Sequence, residues 1–126
     1  MIDHISLAVA DITRSMAFYD AVLTPLGYRR MMEFDGVAGY GDRHPTLWLG
    51  RAETPETLAP PAGFHLAFVA PDRASVEAFY QAALVAGADD NGAPGLRPHY
   101  HPDYYAAFVI DPDGYRIEAV CHQPGG

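Results

Sequence analysis

The sequence predicts an α+β fold built from two βαβββ modules within one domain, residues 1–126. Three observations carry that prediction. A strand with alternating faces is followed by a capped amphipathic helix, and this order occurs twice. The second occurrence aligns with the first at a fixed offset. A polar, Pro-rich stretch, RAETPETLAPPA, lies between them over residues 51–62. The boundaries follow: module one at 1–51, a linker at 52–62 and module two at 63–122. Each module would make a small curved sheet with its helix on the convex side.

Module one opens with Ile2 to Ala10. Ile5, Leu7 and Val9 share one face; His4, Ser6 and Ala8 share the other. Asp11 or Thr13 caps the helix that follows. Ile12, Met16, Tyr19, Leu23 and Leu26 form its apolar stripe, and Pro25 and Gly27 close it. Three short strands come next: Tyr28 to Phe34, Val37 to Gly41, and Thr46 to Leu49, with turns at Asp35-Gly36 and at Asp42 to Pro45.

After the linker the pattern restarts. Phe64 to Ala70 is a strand with His65, Ala67 and Val69 on one face and Leu66 and Phe68 on the other. Asp72 caps a second helix. Its stripe is Val76, Phe79, Tyr80, Ala83 and Leu84, and Gly87 ends it. A short strand near Ala88 and a Gly/Pro loop from Gly92 to Pro98 lead to a closing hairpin. There, two strands rich in aromatic and β-branched residues, Tyr104 to Ile110 and Tyr115 to Val120, flank the turn Asp111-Pro112-Asp113-Gly114.

Moving the sequence along itself by 61 positions lays His4 on His65, Asp11 on Asp72, Ala17-Phe18-Tyr19 on Ala78-Phe79-Tyr80, Ala21 on Ala82 and Leu23 on Leu84. That is seven identities over positions 4 to 23, where chance gives about one or two. The match keeps strand, cap and stripe in phase together, and the period is too long for a solenoid unit.

Composition excludes several function classes. Hydrophobic residues make up 49% and charged residues 19%, an ordinary globular balance. The net charge of −8, with no Lys/Arg cluster, argues against nucleic acid and anionic membranes as partners. No apolar run approaches a membrane span, and no basic-then-apolar leader is visible. Cys121 is the only cysteine, so an intrachain disulfide is ruled out and a reducing, cytoplasmic location is expected.

Glu118 sits between Ile117 and Ala119, and a carboxylate in so apolar a strand is costly to bury without compensation. The repeat supplies partners for it. His4 and His65 are equivalent positions on the concave faces of the two modules. If the last strand lies beside the first strand of module two, Glu118 is next to His65. Two imidazoles and one carboxylate in a cleft suit a divalent transition metal and leave positions for water or substrate. Taken singly, each residue also fits a plain strand position.

These residues are where the chain resembles a known family, the vicinal oxygen chelate superfamily of glyoxalase I, extradiol dioxygenases, bleomycin- and fosfomycin-resistance proteins and methylmalonyl-CoA epimerase. The resemblance covers nearly the whole chain. Its most specific parts are IDHISLAV, the FY-containing helix, GFHLAF and DPDGYRIEAV. It implies an open, eight-stranded barrel-like sheet and a divalent metal bound by His4, His65 and Glu118. Glyoxalase I-like members place a Glu or Gln as a fourth ligand on a strand that here reads LWLGR, which puts Trp48 at or next to that place. The remaining His, His, Glu set is closer to extradiol dioxygenases, so Fe2+ is the favoured ion, with Mn2+, Ni2+ or Zn2+ as substitutes. Those dioxygenases usually carry four modules, whereas this chain has two.

RPHYHPDYY, residues 97–105, precedes the hairpin and can reach the mouth of the cleft. His101 and Tyr105 are the candidates there for acid/base or orienting roles. Tyr100, Tyr104 and Trp48 are candidates for substrate contact, with a stiffened surface loop and plain core filling as the competing readings. Two functions compete. One is a metal-dependent enzyme, dioxygenase-like or lyase-like, acting on a small oxygen-bearing molecule by Lewis-acid catalysis. The other is a metal-free protein that sequesters an antibiotic, as bleomycin-resistance members do. A homodimer is expected, because an open sheet leaves edges to protect.

Overall fold

A computed structural model describes residues 1–125. Eight strands and two α-helices form two modules, each a mixed four-stranded sheet with one helix. Module one comprises β1 (Ile5–Val9), α1 (Ile12–Leu23), β2 (Arg29–Phe34), β3 (Val37–Gly41) and β4 (Pro45–Arg51), in the sheet order β1-β4-β3-β2. Module two comprises β5 (Leu66–Val69), α2 (Arg73–Val85), β6 (Asp89–Leu96), β7 (Tyr105–Ile110) and β8 (Arg116–Cys121), ordered β5-β8-β7-β6. In both, the first strand pairs in parallel with the last, and the remaining pairs are antiparallel.

The internal repeat is visible in the elements themselves. β1 and β5 start at 5 and 66, and α1 and α2 start at 12 and 73, the same offset of 61. Asp11 and Asp72 are both N-caps, each accepting a hydrogen bond from the backbone N–H three residues on. The apolar stripes bury Phe18, Tyr19, Val22 and Leu23 of α1 and Val76, Phe79 and Ala83 of α2. These pack on Leu7, Val9 and Leu49 in one sheet and on Val109, Ile117 and Cys121 in the other. A short 3-10 turn, Thr24–Leu26, ends at Gly27, whose φ of +90° needs the left-handed conformation that glycine adopts without strain.

One feature differs from the sequence reading: β6 runs through residues 89–96, where a short strand near Ala88 and a loop from Gly92 were expected. As a sheet edge it tolerates Pro94 and two register shifts around Gly92, which a central strand would not. The expected open arrangement of eight strands is made of two sheets of four, with β1 and β5 as edges that do not hydrogen-bond to each other.

The modules meet instead through their helices and through the β7–β8 turn. That turn clasps the end of β1 and the start of α1. The Tyr19 hydroxyl donates to Asp111 Oδ2 at 2.5 Å, and the Tyr115 hydroxyl donates to the Ala8 carbonyl at 2.6 Å. Asp113 Oδ1 accepts from the Ala10 N–H at 3.1 Å and from Arg14 Nη2 at 2.9 Å. Asp111 Oδ1 meanwhile accepts the N–H groups of Asp113 and Tyr115, which fixes the turn. An apolar cleft of about 430 Å³, lined by Ile2, Ile5, Leu47, Leu66 and Phe68, separates β5 from module one. Among the described residues, no helix is long and apolar enough to cross a membrane.

Candidate functional site

Each module has a hollow on its concave face. In module two, β8 carries Glu118, with Ala67 of β5 and Phe108 of β7 as its register neighbours. The strand pattern buries it: Ile117 and Ala119 face the core, and Glu118 faces inward on the opposite side with its side chain only 4% exposed. His65 immediately precedes β5, and its Nε2 meets Glu118 Oε1 in a short, close contact. The Tyr104 hydroxyl donates to the other oxygen, Oε2, at 2.6 Å. Burial, and after it the hydrogen bond to Glu118, raise the Tyr104 phenol above its ordinary range, so it stays a donor at neutral pH. Tyr100 and Phe108 complete this hollow, which measures about 450 Å³.

In module one, His4 immediately precedes β1, as His65 precedes β5. Its Nδ1 contacts the adjacent Asp3 at 2.6 Å, and the hollow beside it holds Ser6, Ala8, Val37, Trp48 and Gly50. Sheet register identifies Trp48 as the counterpart of Glu118. Ser6 pairs with Trp48 across β1 and β4, as Ala67 pairs with Glu118 across β5 and β8. The position that holds a carboxylate in one module therefore holds an indole in the other. Gly39 of β3, opposite Trp48, makes room for it: a Cβ there would lie 2.7 Å from the indole ring. Phe34 lies nearly parallel to the indole, at 12° and 6.5 Å between centroids. The result is a flat aromatic surface bordered by small residues.

The structure thus brings together His65, Glu118, Tyr104 and Tyr100. His4 and Trp48 lie together in the other hollow. Among the described residues, no three His, Cys, Asp or Glu side chains gather at one point. Within one chain His4 and His65 lie in different hollows, and the modules meet through their helices. The expected Tyr105 lies on the opposite side of β7 from Tyr104. Its hydroxyl donates to Glu77 of α2 at 2.6 Å and its ring lies under Arg73. His101 is exposed at the rim, where its Nδ1 accepts the Asp103 N–H and its ring packs edge-on to His122. Phe34, Gly39 and Phe108 went unmarked in the sequence reading. Strand alternation places Phe34 and Phe108 on these faces, but only the register shows that they border Trp48 and Glu118.

As a test of fit for a divalent metal, the donor chemistry is suitable and the donor count is not complete. One chain presents one imidazole nitrogen and one carboxylate oxygen to a common point. His4, the other imidazole of the expected set, is half-exposed and lies in the hollow of module one.

Paired βαβββ modules, with a buried Glu118 met by His65 at the rim of one hollow, define a class of two-module proteins built around concave faces. The match to family descriptions is specific: the chain belongs to the Glyoxalase/Bleomycin resistance protein/Dioxygenase superfamily, whose family model matches residues 1–119. Among solved structures, a glyoxalase/bleomycin resistance protein from Albidiferax ferrireducens T118 is 27% identical, with a TM-score of 0.85, over 94% of this chain and 96% of that one. A glyoxalase/bleomycin resistance protein/dioxygenase family enzyme from Burkholderia phytofirmans PsJN is 20% identical, with a TM-score of 0.76, over 97% and 98% of the two chains. The fosfomycin resistance protein FosX from Listeria monocytogenes shares the fold at 14% identity and a TM-score of 0.69, over 94% of this chain and 89% of that one. A search of curated proteins finds no match.

Proposed function

We propose that this chain is a divalent-metal-dependent enzyme that acts, by dioxygenase-like or lyase-like chemistry, on a small oxygen-bearing substrate. The observation that carries this reading is the contact of exposed His65, through Nε2, with Oε1 of the buried Glu118. A carboxylate in this position with an imidazole against it is the donor pair a transition metal selects. His65 and Glu118 would hold the ion, with His4 of the partner subunit as third ligand, Fe2+ being favoured. The ion, when bound, supplies Lewis-acid polarisation of substrate oxygens.

The remaining residues bind, orient and exclude water. Phe108 and Tyr104 wall the ion's pocket, which lowers the local dielectric and strengthens charge interactions there. Trp48 and Phe34 give a flat face on which an apolar part of the substrate can lie, while Ser6, Ala8 and Gly50 leave it room. Tyr100, exposed at the mouth, closes over one side. His101 is the proton carrier at the rim: with Nδ1 accepting from Asp103, its proton rests on Nε2.

The test is metal analysis of protein purified without chelators, together with His65→Ala and Glu118→Ala. Stoichiometric transition metal in the parent chain and its loss in both variants is the expected outcome. A chain that takes up no metal even on reconstitution sinks the enzyme reading. The second reading, a metal-free sequestering protein, is supported by the Trp48–Phe34 surface, since stacking needs no metal. It predicts unchanged ligand affinity in Glu118→Ala.

A further inference from the structure

The hollow of module one measures about 610 Å³, the size of a site for a small organic molecule. Its flat wall is the Trp48 indole, extended by Phe34 and bordered by Ser6, Ala8 and Gly50. Arg51 also lines this hollow, and no Asp or Glu does. In a chain with a net charge of −8, a concave surface that presents a cation and no acid stands apart.

Arg51 ends β4, and its place there is fixed by its backbone. Its N–H donates to the Gly36 carbonyl at 2.9 Å. The side chain crosses the β2–β3 turn, where a Cβ on Gly36 would lie 3.3 Å from the guanidinium carbon. Among the described residues its ionic partner is Asp35, at 3.8 Å. That separation is beyond hydrogen-bond length and the Asp35 side chain is fully exposed, so the pair is weak. The planar fork of donors is therefore available to take a carboxylate on two parallel hydrogen bonds. Register gives a bound molecule its direction. Ser6 pairs with Trp48 and Val9 with Arg51, so Arg51 stands at one end of the indole and His4 at the other.

We propose that the hollow of module one binds a planar aromatic acid, with its ring on Trp48 and Phe34 and its carboxylate on Arg51. The far end of the acid then points toward His4. This rests on the aromatic surface in the function proposed above, and not on a metal. It makes Arg51 the residue that selects an acid over a neutral ring.

The test is calorimetric titration of the full chain with two probes of one shape, cinnamate and its neutral amide, cinnamamide. The parent is expected to bind the acid roughly 10-fold more tightly than the amide, the margin of a charge-assisted hydrogen bond at an exposed site. Arg51→Met keeps an apolar stem and removes the fork, and is expected to bind both probes as the parent binds the amide. Asp35→Asn removes the competing carboxylate and should tighten the acid alone. Trp48→Leu should lose both probes. Thermal unfolding checks that each variant folds like the parent. Equal binding of acid and amide by the parent overturns the acid selection and leaves the aromatic surface standing. A preference that survives in Arg51→Met also overturns it, since another group then reads the charge. Binding that persists in Trp48→Leu places the probes elsewhere and overturns the site. A parent that binds neither probe overturns the aromatic surface together with its acid.

Discussion

Asp111 and Glu118 are both buried acids on one hairpin, and their surroundings assign them different work. Asp111 ties the modules: it accepts from Tyr19 and from two backbone N–H groups. Asp111→Ala leaves those donors without a partner and is expected to cost about 2–4 kcal/mol in urea unfolding. Asp111→Asn keeps one acceptor oxygen, enough for the two backbone N–H groups, and should cost less. Burial, more strongly than its hydrogen bonds oppose it, raises the Asp111 carboxyl above the ordinary carboxylate range. The folded chain then holds this proton more tightly than the unfolded chain. Its contribution to stability is therefore greatest at low pH and declines as pH rises from the ordinary carboxylate value through the raised one. In Asp111→Asn that decline should vanish from the pH profile of the urea midpoint. At this scale the sequence was informative about identity: an acid in an apolar strand marked Glu118, and the repeat marked His4 and His65. It was silent on the clasp, since DPDG has the same turn chemistry whether or not its aspartates reach another module.

At the scale of elements, period and punctuation made most of the fold legible. Alternation, caps and stripes located both helices and the first strand of each module, and the offset of 61 related them. β6 escaped because its residues, DDNGAPGL, violate strand propensity and are tolerated only at an edge. Register escaped too, and register is what makes Trp48 the counterpart of Glu118. The two strands β4 and β8 are the same element put to two uses, one presenting a ring and one an acid. The ring depends on Gly39. Gly39→Ala puts a methyl group 2.7 Å from the indole and forces it off the sheet. The expected cost is about 1–3 kcal/mol in thermal or urea unfolding, as for other overpacked sites. Wild-type stability in that variant would show that the indole has another resting place.

For the whole molecule, alternation specifies which face of a strand is concave but not which concave face stands opposite it. That is why the sequence supports a His, His, Glu set and the single chain assembles only two of its members. Exposed edges at β1 and β5, and separate hollows for His4 and for Glu118, are what a two-fold pair of chains would resolve. Mixed dimers test this directly. His4→Ala and Glu118→Ala chains are each expected to lose metal, whereas a hybrid of the two contains one site with every ligand intact. Denaturing and refolding an equal mixture should restore about one metal per hybrid dimer. If each site lies within one chain, no mixture restores any. A melting temperature that rises with protein concentration would accompany the dimer. Trp48 offers one more consequence. It is the chain's only tryptophan, so ultraviolet emission excited at the red edge comes from a single place, the surface beside Phe34 and His4. A planar molecule settling on that surface should quench the emission, whereas one lodged in the apolar cleft between the modules should alter it little. The protein carries its own lamp at the site where a substrate is expected, and a library of unlabelled compounds can be screened by watching it dim.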